Sequence, residues 1–219
     1  MSKTNPIKQV VRNLRRALNY AGLYEKDVCA DPFEQFEGWM KDAVKKEAFE
    51  PNAMTLATAS KDGKPTARTV LLKDYSPEGF TFYTNFSSRK GQNLIDNPQA
   101  SLVFYWASLS RQVLIDGTIV KTDRQNSEDY FHSRPRGSQI AAFISEQSSV
   151  VKDRTQLEDK VKEIEEKYKD QEIPCPENWG GFLLKPIRIE FWQGRPDRLH
   201  DRICFTQDGQ KWKSSRLAP

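Results

Sequence analysis

The spacing of apolar residues changes near Ala53 from a helical to an extended period, and this change limits the fold more than any other feature of the chain. Residues 53–60 read as a strand, Lys61-Asp62-Gly63-Lys64 as a turn, and 65–73 as the returning strand of a hairpin. Tyr75-Ser76-Pro77-Glu78-Gly79 marks a second turn, leading into a strand at 80–84. Strands rich in aliphatic and aromatic residues are expected at 100–107 and 112–122. Three more follow at 182–193, 198–207 and 210–216, the last two joined at Asp208-Gly209. Helical spacing precedes and interrupts this series. Ile7, Val10, Val11, Leu14 and Leu18 predict a helix over 7–20. Asp31-Pro32 supplies a cap and a first-turn proline for a second helix, with Phe33, Phe36, Met40 and Val44 as its apolar stripe and Pro51 as its end. A serine-capped helix is expected over 87–95 and others at 123–133, 137–146 and 153–169, the last a charge-rich solvated face. The fold class that follows is α+β. A barrel-like antiparallel sheet with inserted helices occupies 51–219, and a helical segment occupies 1–50.

Composition narrows the function classes. A chain of 219 residues, 37% hydrophobic and 29% charged, is expected to be soluble, with one real core. No apolar run approaches the ~18–20 residues of a membrane span. The net charge of +4 is too weak by itself to argue for nucleic acid, but it suits small phosphorylated anions. Cys29, Cys175 and Cys204 are odd in number and far apart, which points to a reducing compartment, expected to be the cytoplasm. His132 and His200 are too few for a zinc-type cluster, so no metal is expected. Five cations (Lys3, Lys8, Arg12, Arg15, Arg16) precede the first acid, Glu25. A transit peptide and an amphipathic surface helix both fit, the second being the plainer reading.

Several clusters could carry chemistry. A helix capped by Ser87 or Ser88 begins with unpaired N–H groups and a positive dipole end. Arg89 and Lys90 are unfavourable there unless an anion joins them, and a phosphate would resolve the conflict; two ordinary solvated cations are the competing reading. Arg68 and Lys73 lie on the neighbouring hairpin, five residues apart, so a regular strand would point them to opposite faces. Either that strand is bulged or the two serve different ligands or sites. A second cluster is Tyr130 and Arg134, at i,i+4, with Arg136 and Ser138 at the next helix start. Gln112 and the Gln147-Ser148 pair are weaker signals, since neutral amides more often satisfy backbone groups. Beyond Trp192 and a turn at Gly194 to Asp197 the chain reads as extended. Arg198, His200 and Arg202 would then share one face, with Leu199, Asp201 and Ile203 on the other. Two guanidiniums flanking an imidazole suit an anionic planar ligand; a solvated edge strand paired with Asp197 and Asp201 is the alternative. There is no glycine-rich dinucleotide loop, Walker pattern, G-x-S-x-G or H-E-x-x-H.

Seven ordered runs resemble one known family. They are Arg68-Thr-Val-Leu-Leu-Lys73, Phe82-Tyr83-Thr84-Asn85, Ser87-Ser88-Arg89-Lys90-Gly91, Asn178-Trp179-Gly180-Gly181-Phe182, Ile189-Glu190-Phe191-Trp192-Gln193-Gly194, Arg198-Leu-His-Asp-Arg202 and Arg216-Leu-Ala-Pro219. Together they resemble the pyridoxine/pyridoxamine 5′-phosphate oxidases from about Arg12 onward. The resemblance implies an FMN-dependent split β-barrel homodimer with the flavin at the subunit interface, and no nucleic-acid or membrane partner. It implies oxidation of pyridoxine or pyridoxamine 5′-phosphate to pyridoxal 5′-phosphate, with hydride passing from C4′ to flavin N5 and O2 reduced to H2O2. Its cofactor contacts fall on Arg68, Thr69, Val70, Leu71, Leu72, Lys73, Tyr83, Thr84, Arg89, Lys90, Gln112, Gln147, Ser148, Trp192 and Arg202. Its substrate contacts fall on Lys73, Tyr130, Arg134, Ser138, Arg198 and His200, the last two also catalytic. The pattern departs at the N-terminus, where an Arg-Glu-Tyr element of the family is replaced by Arg15-Arg16-Ala17-Leu18. A different split-barrel flavin reductase would lack the Tyr130/Arg134/Ser138 cluster, and a non-catalytic carrier would lack Arg198 or His200.

Overall fold

In this computed structural model, which describes residues 22–47 and 49–219, the Asp31 carboxylate accepts a hydrogen bond from the Phe33 amide at 2.6 Å. That cap starts helix α1 (Pro32–Lys46). The helix expected over 7–20 and the Arg15-to-Leu18 run lie outside the described residues. Phe33, Phe36, Met40 and Ala43 of α1 are buried at i, i+3/i+4 spacing in the same apolar core as the sheet. Val44, expected on that stripe, falls one position off it and is exposed. Phe36 meets Phe80 and Phe104 edge to face, with ring centroids 5.0 and 5.3 Å apart.

A single antiparallel sheet follows, an open half-barrel of the split-barrel kind. Its strands are β1 (Ala53–Ala59), β2 (Pro65–Leu71), β3 (Asp74–Ser76), β4 (Gly79–Asn85) and β5 (Gln99–Trp106). They continue with β6 (Arg111–Lys121), β7 (Trp179–Gln193), β8 (Asp201–Asp208) and β9 (Lys211–Arg216). The order is β2-β1-β5-β6-β7-β4-β3, with β8 on β7 and β9 on β8. Helix α2 (Arg89–Asp96) joins β4 to β5, and α3 (Arg124–Ser133), α4 (Arg136–Ile144) and α5 (Arg154–Lys167) lie between β6 and β7. These three helices close a smaller core of Phe131, Ile140, Ile164, Ile173 and Trp179. Among the described residues no helix is long and apolar enough to cross a membrane.

The 15-residue β7 is shared by three strands. One edge runs along β6. The other pairs with β4 from Trp179 to Leu184 and with β8 from Arg188 to Gln193. Against β6 the register slips between Asp116 and Gly117, which leaves Ile187 without a partner there. Such a bulge bends a strand and raises its twist. Gly117 sits at the slip, where a Cβ would lie 2.2 Å from the Lys185 carbonyl oxygen.

Two sequence expectations change. The β1–β2 register is regular from Ala53–Leu71 to Ala59–Pro65, so no bulge separates Arg68 from Lys73. The chain instead leaves β1 after Leu71, and the Lys73 amide donates to the Thr81 carbonyl at 2.9 Å. Strand alternation therefore does not carry through to Lys73. The strand expected at 198–207 begins only at Asp201, because Pro196–Arg198 form a tight turn with Asp197 and Arg198 at φ 55° and 62°. Arg198, His200 and Arg202 accordingly do not form a comb on one strand face.

Replacing Gly117 with Ala is expected to lower stability by about 1–3 kcal/mol, the usual cost of forcing atoms into packed space. Gly38→Ala, on the exposed side of α1 with nothing within 4 Å of the new methyl, should raise it by about 0.5–1 kcal/mol. Denaturant midpoints measured at constant m-value check both.

Candidate active site

A cleft of about 620 Å³ opens where the end of β2, strand β4 and helices α3 and α4 converge. Thr69, Val70, Leu71 and Lys73 form one wall, and Tyr130, Arg134 and Ser138 stand on the helical side. Tyr83 and Thr84 of β4 lie between them, and Lys90 and Gln147 also line the cleft.

Around Lys90 the structure gathers cations on neutral oxygens. Ser88 caps α2, its hydroxyl accepting from the Gly91 amide at 3.2 Å, which sets Arg89 and Lys90 on the first turn. Lys90 Nζ donates to Gln147 Oε1 at 2.7 Å and to Thr84 Oγ1 at 3.1 Å. Arg68 donates to the Leu56 carbonyl at 3.1 Å and to the hydroxyls of Thr58 and Thr66 at 2.8 and 2.6 Å. Burial, and then the charge of Arg68, holds Lys90 below the ordinary lysine pKa. Burial followed by Arg89 lowers Arg68 in the same way. Mutually repelling cations without a carboxylate among these partners are what an anion site needs. The Arg89 amide, at the helix start, donates to Ser148 Oγ at 3.3 Å; Gln147 lines the cleft, whereas Arg68, Arg89 and Ser148 are not among its lining residues.

The second cationic point is Arg134. Its guanidinium packs 4.9 Å from the Trp179 ring centroid, and its Nη1 is buried with no hydrogen-bond partner. A buried guanidinium N–H without an acceptor is destabilising, and an anionic oxygen in the cleft would satisfy it. Tyr83 stacks on Tyr130 with centroids 4.0 Å apart and on Trp179 at 5.5 Å, giving a wall of three rings. Burial raises the Tyr83 hydroxyl pKa. The cleft thus offers cations at two places with aromatic surface between, a donor set that fits phosphorylated aromatic molecules.

The remaining sequence-predicted residues lie elsewhere. Leu72 turns its side chain into the core, while its amide donates to the Asn52 carbonyl and its carbonyl accepts from Asn52 Nδ2. Arg136, grouped with the Tyr130 cluster on sequence grounds, instead donates to the carbonyls of Tyr168 and Gln171. Gln112, Trp192 and Arg202 are neighbours across β6, β7 and β8, and His200 leans on Trp192 with centroids 4.6 Å apart. Arg198 is exposed in the turn before β8. Trp179 and Trp192 stand near opposite ends of β7, roughly 40 Å of extended strand apart. A single chain therefore holds the predicted residues as two separate groups. Trp179, which backs Arg134, is a site residue that residue-type reasoning passes over. The clue was the Gly180-Gly181 pair beside it, where a Cβ would press on the Phe86 ring or on the Thr122 hydroxyl.

Comparison with known proteins gives a consistent picture. Residues 40–168 match the family model described as pyridoxamine 5′-phosphate oxidase, and 179–219 match the pyridoxine 5′-phosphate oxidase C-terminal dimerisation region. A pyridoxine/pyridoxamine 5′-phosphate oxidase of Acaryochloris marina is 49% identical over 219 residues, covering 100% of both chains. Its counterpart from Synechocystis sp. is 52% identical over 204 residues, covering 92% of this chain and 95% of the relative. Among solved structures, PhzG from Burkholderia lata, in complex with tetrahydrophenazine-1-carboxylic acid, superposes with a TM-score of 0.84 at 29% identity. That alignment covers 90% of this chain and 98% of PhzG.

Anion binding at the Lys90 end should weaken as pH rises, because the required ammonium is lost. The lowered pKa moves that loss below the ordinary lysine value of about 10.4. Titrating inorganic pyrophosphate calorimetrically over a pH series should show the decline. In Lys90→Arg, whose guanidinium stays charged, the decline should be displaced to higher pH.

Proposed function

The chain belongs to the pyridoxamine 5′-phosphate oxidase family of oxidoreductases, and we propose that it is an FMN-dependent oxidase converting pyridoxine or pyridoxamine 5′-phosphate to pyridoxal 5′-phosphate. The observation that carries this reading is the pairing of two cationic points in one cleft, one of them the orphaned Arg134 Nη1. Two phosphorylated rings account for both.

Arg68, Arg89 and Lys90, with Thr84, Gln147 and Ser148, would hold the FMN phosphate. The Thr69–Leu71 backbone and Tyr83 would border the remainder of the cofactor. Lys73, Tyr130, Arg134 and Ser138 would hold the substrate phosphate, charge-assisted contacts that fix the ring in place. When bound, the flavin supplies the hydride acceptor for C4′ and the route of electrons to O2, which leaves as H2O2. Arg198 and His200 would orient the substrate pyridine and stabilise charge developing at the C4′ substituent.

Gln112, Trp192, Arg198, His200 and Arg202 cannot reach this cleft from within the same protomer, given the length of β7. A homodimer resolves the difficulty: each complete site would take the cleft of one subunit and the Trp192 group of the other. The match of 179–219 to a dimerisation region supports this arrangement, since those residues carry Trp192, Arg198, His200 and Arg202.

The test is direct. Purified protein should carry a visible flavin absorption band that pyridoxine 5′-phosphate bleaches in the absence of air. Arg198→Ala should retain the band but lose at least about tenfold in kcat/KM, having lost a transition-state contact. Wild-type turnover in that variant would remove Arg198 from the mechanism. Complementation tests the shared site: Arg134→Ala and Arg198→Ala subunits, each nearly inactive, should regain about a quarter of wild-type activity when unfolded and refolded together. Half of the randomly formed dimers would then carry one intact site. No recovery would reject the composite site.

A further inference from the structure

Asp201 is tied to three parts of the chain. Its Oδ1 accepts from Arg216 Nη1 at 2.7 Å, its Oδ2 from the Leu23 amide at 3.0 Å, and Arg195 Nε stands 3.5 Å from Oδ2. Arg216 is itself fixed by both carboxylate oxygens of Glu25, at 2.7 and 3.0 Å, and by the Leu23 carbonyl at 2.8 Å. This mostly buried carboxylate therefore binds Arg195 at one end of a short loop and stands at its other end, immediately after His200. Inside the loop the Arg195 amide N–H donates to His200 Nδ1 at 3.0 Å. A backbone N–H can only donate, so Nδ1 is the unprotonated nitrogen and the neutral ring carries its proton on Nε2.

We propose that Asp201 is a positioning residue: by closing the 195–200 loop it holds His200 as the Nε2–H tautomer, which makes His200 a hydrogen-bond donor to the substrate and not its proton acceptor. The inference rests on the reading of His200 as a substrate contact given above. A base needs a free lone pair, and the only one on this imidazole is engaged by the Arg195 amide. What Nε2–H can do is donate one hydrogen bond to an electronegative atom of the pyridine ring or its substituents. Trp192, against which the ring leans, limits its rotation from one side.

Two histidines in the whole chain make the test clean, because long-range proton–nitrogen spectra contain only two imidazoles. His132→Gln assigns them. On the flavin-loaded protein, held well above the ordinary histidine pKa of about 6.5, His200 should show its proton on Nε2. A proton on Nδ1 overturns the proposal. In Asp201→Asn the His200 signals should move toward a mixture of tautomers, with kcat/KM falling on the order of 10²-fold, as for a displaced catalytic group. An unchanged His200 pattern in that variant overturns the positioning role, whatever happens to turnover. If Asp201→Asn does not fold, Arg195→Gln removes the other member of the loop-closing pair while keeping the backbone amide, and is read by the same spectra with the same outcomes. The two readings fail separately: an Nε2–H signal without turnover counts against the oxidase assignment alone, and turnover with an Nδ1–H signal counts against this inference alone.

Discussion

Strand β7 is the constraint on which the rest of the molecule depends. It lends one edge to β6 and divides the other between β4 and β8, so no two halves of the sheet are joined without it. The slip opposite Gly117 lets a single strand serve both tasks, since a flat strand could not turn from one neighbour to the next. Its first residue, Trp179, backs the cleft, and Trp192 near its other end anchors the second cluster. The separation of the two residue groups is therefore a property of the topology, not of side-chain orientation.

Charge is treated in opposite ways at the two ends. Near Trp192, Arg202 is paired with a carboxylate: Nε donates to Glu190 Oε1 at 2.7 Å, Nη2 to Oε2 at 3.1 Å and Nη1 to the Ala218 carbonyl at 2.8 Å. Burial would push the Glu190 pKa up, but hydrogen bonds from Arg202 and Arg188 outweigh it and hold the carboxyl below its ordinary value. The cleft shows the reverse arrangement. Lys90, Arg68 and Arg134 meet hydroxyls, an amide, carbonyls and an aromatic face. An ion pair left complete is self-sufficient, whereas half-buried cations on neutral oxygens are stabilised further by any anion that arrives.

Much of this was legible in the sequence, and what was not has physical reasons. Local chemistry announced itself well: Asp31 caps α1, Ser88 caps α2, and the hairpin expected over 53–73 pairs in a regular register as far as Leu71. Short strands and irregular backbone are less legible than capped helices and regular hairpins. The turn expected over Tyr75–Gly79 is narrower in the structure, because Tyr75 and Ser76 join Asp74 in a three-residue strand paired with β4. The Arg198 comb failed because alternation assumes extended backbone, and two consecutive left-handed residues precede β8. The meeting of Lys90 with Gln147 spans a sequence separation of 57, which no local pattern can show. Residue types suggest the chemistry and the motif runs imply the roles, while the strand order sets the residues concerned in two separate groups.

The Arg216 clasp also bears on how the chain is made. Arg216 closes on Leu23 and Glu25, partners 193 and 191 residues earlier. During translation those early residues leave the ribosome long before the guanidinium that will hold them exists. Their final contacts can form only after Arg216, 191 residues beyond Glu25, has emerged, so these early residues are among the late ones to be locked.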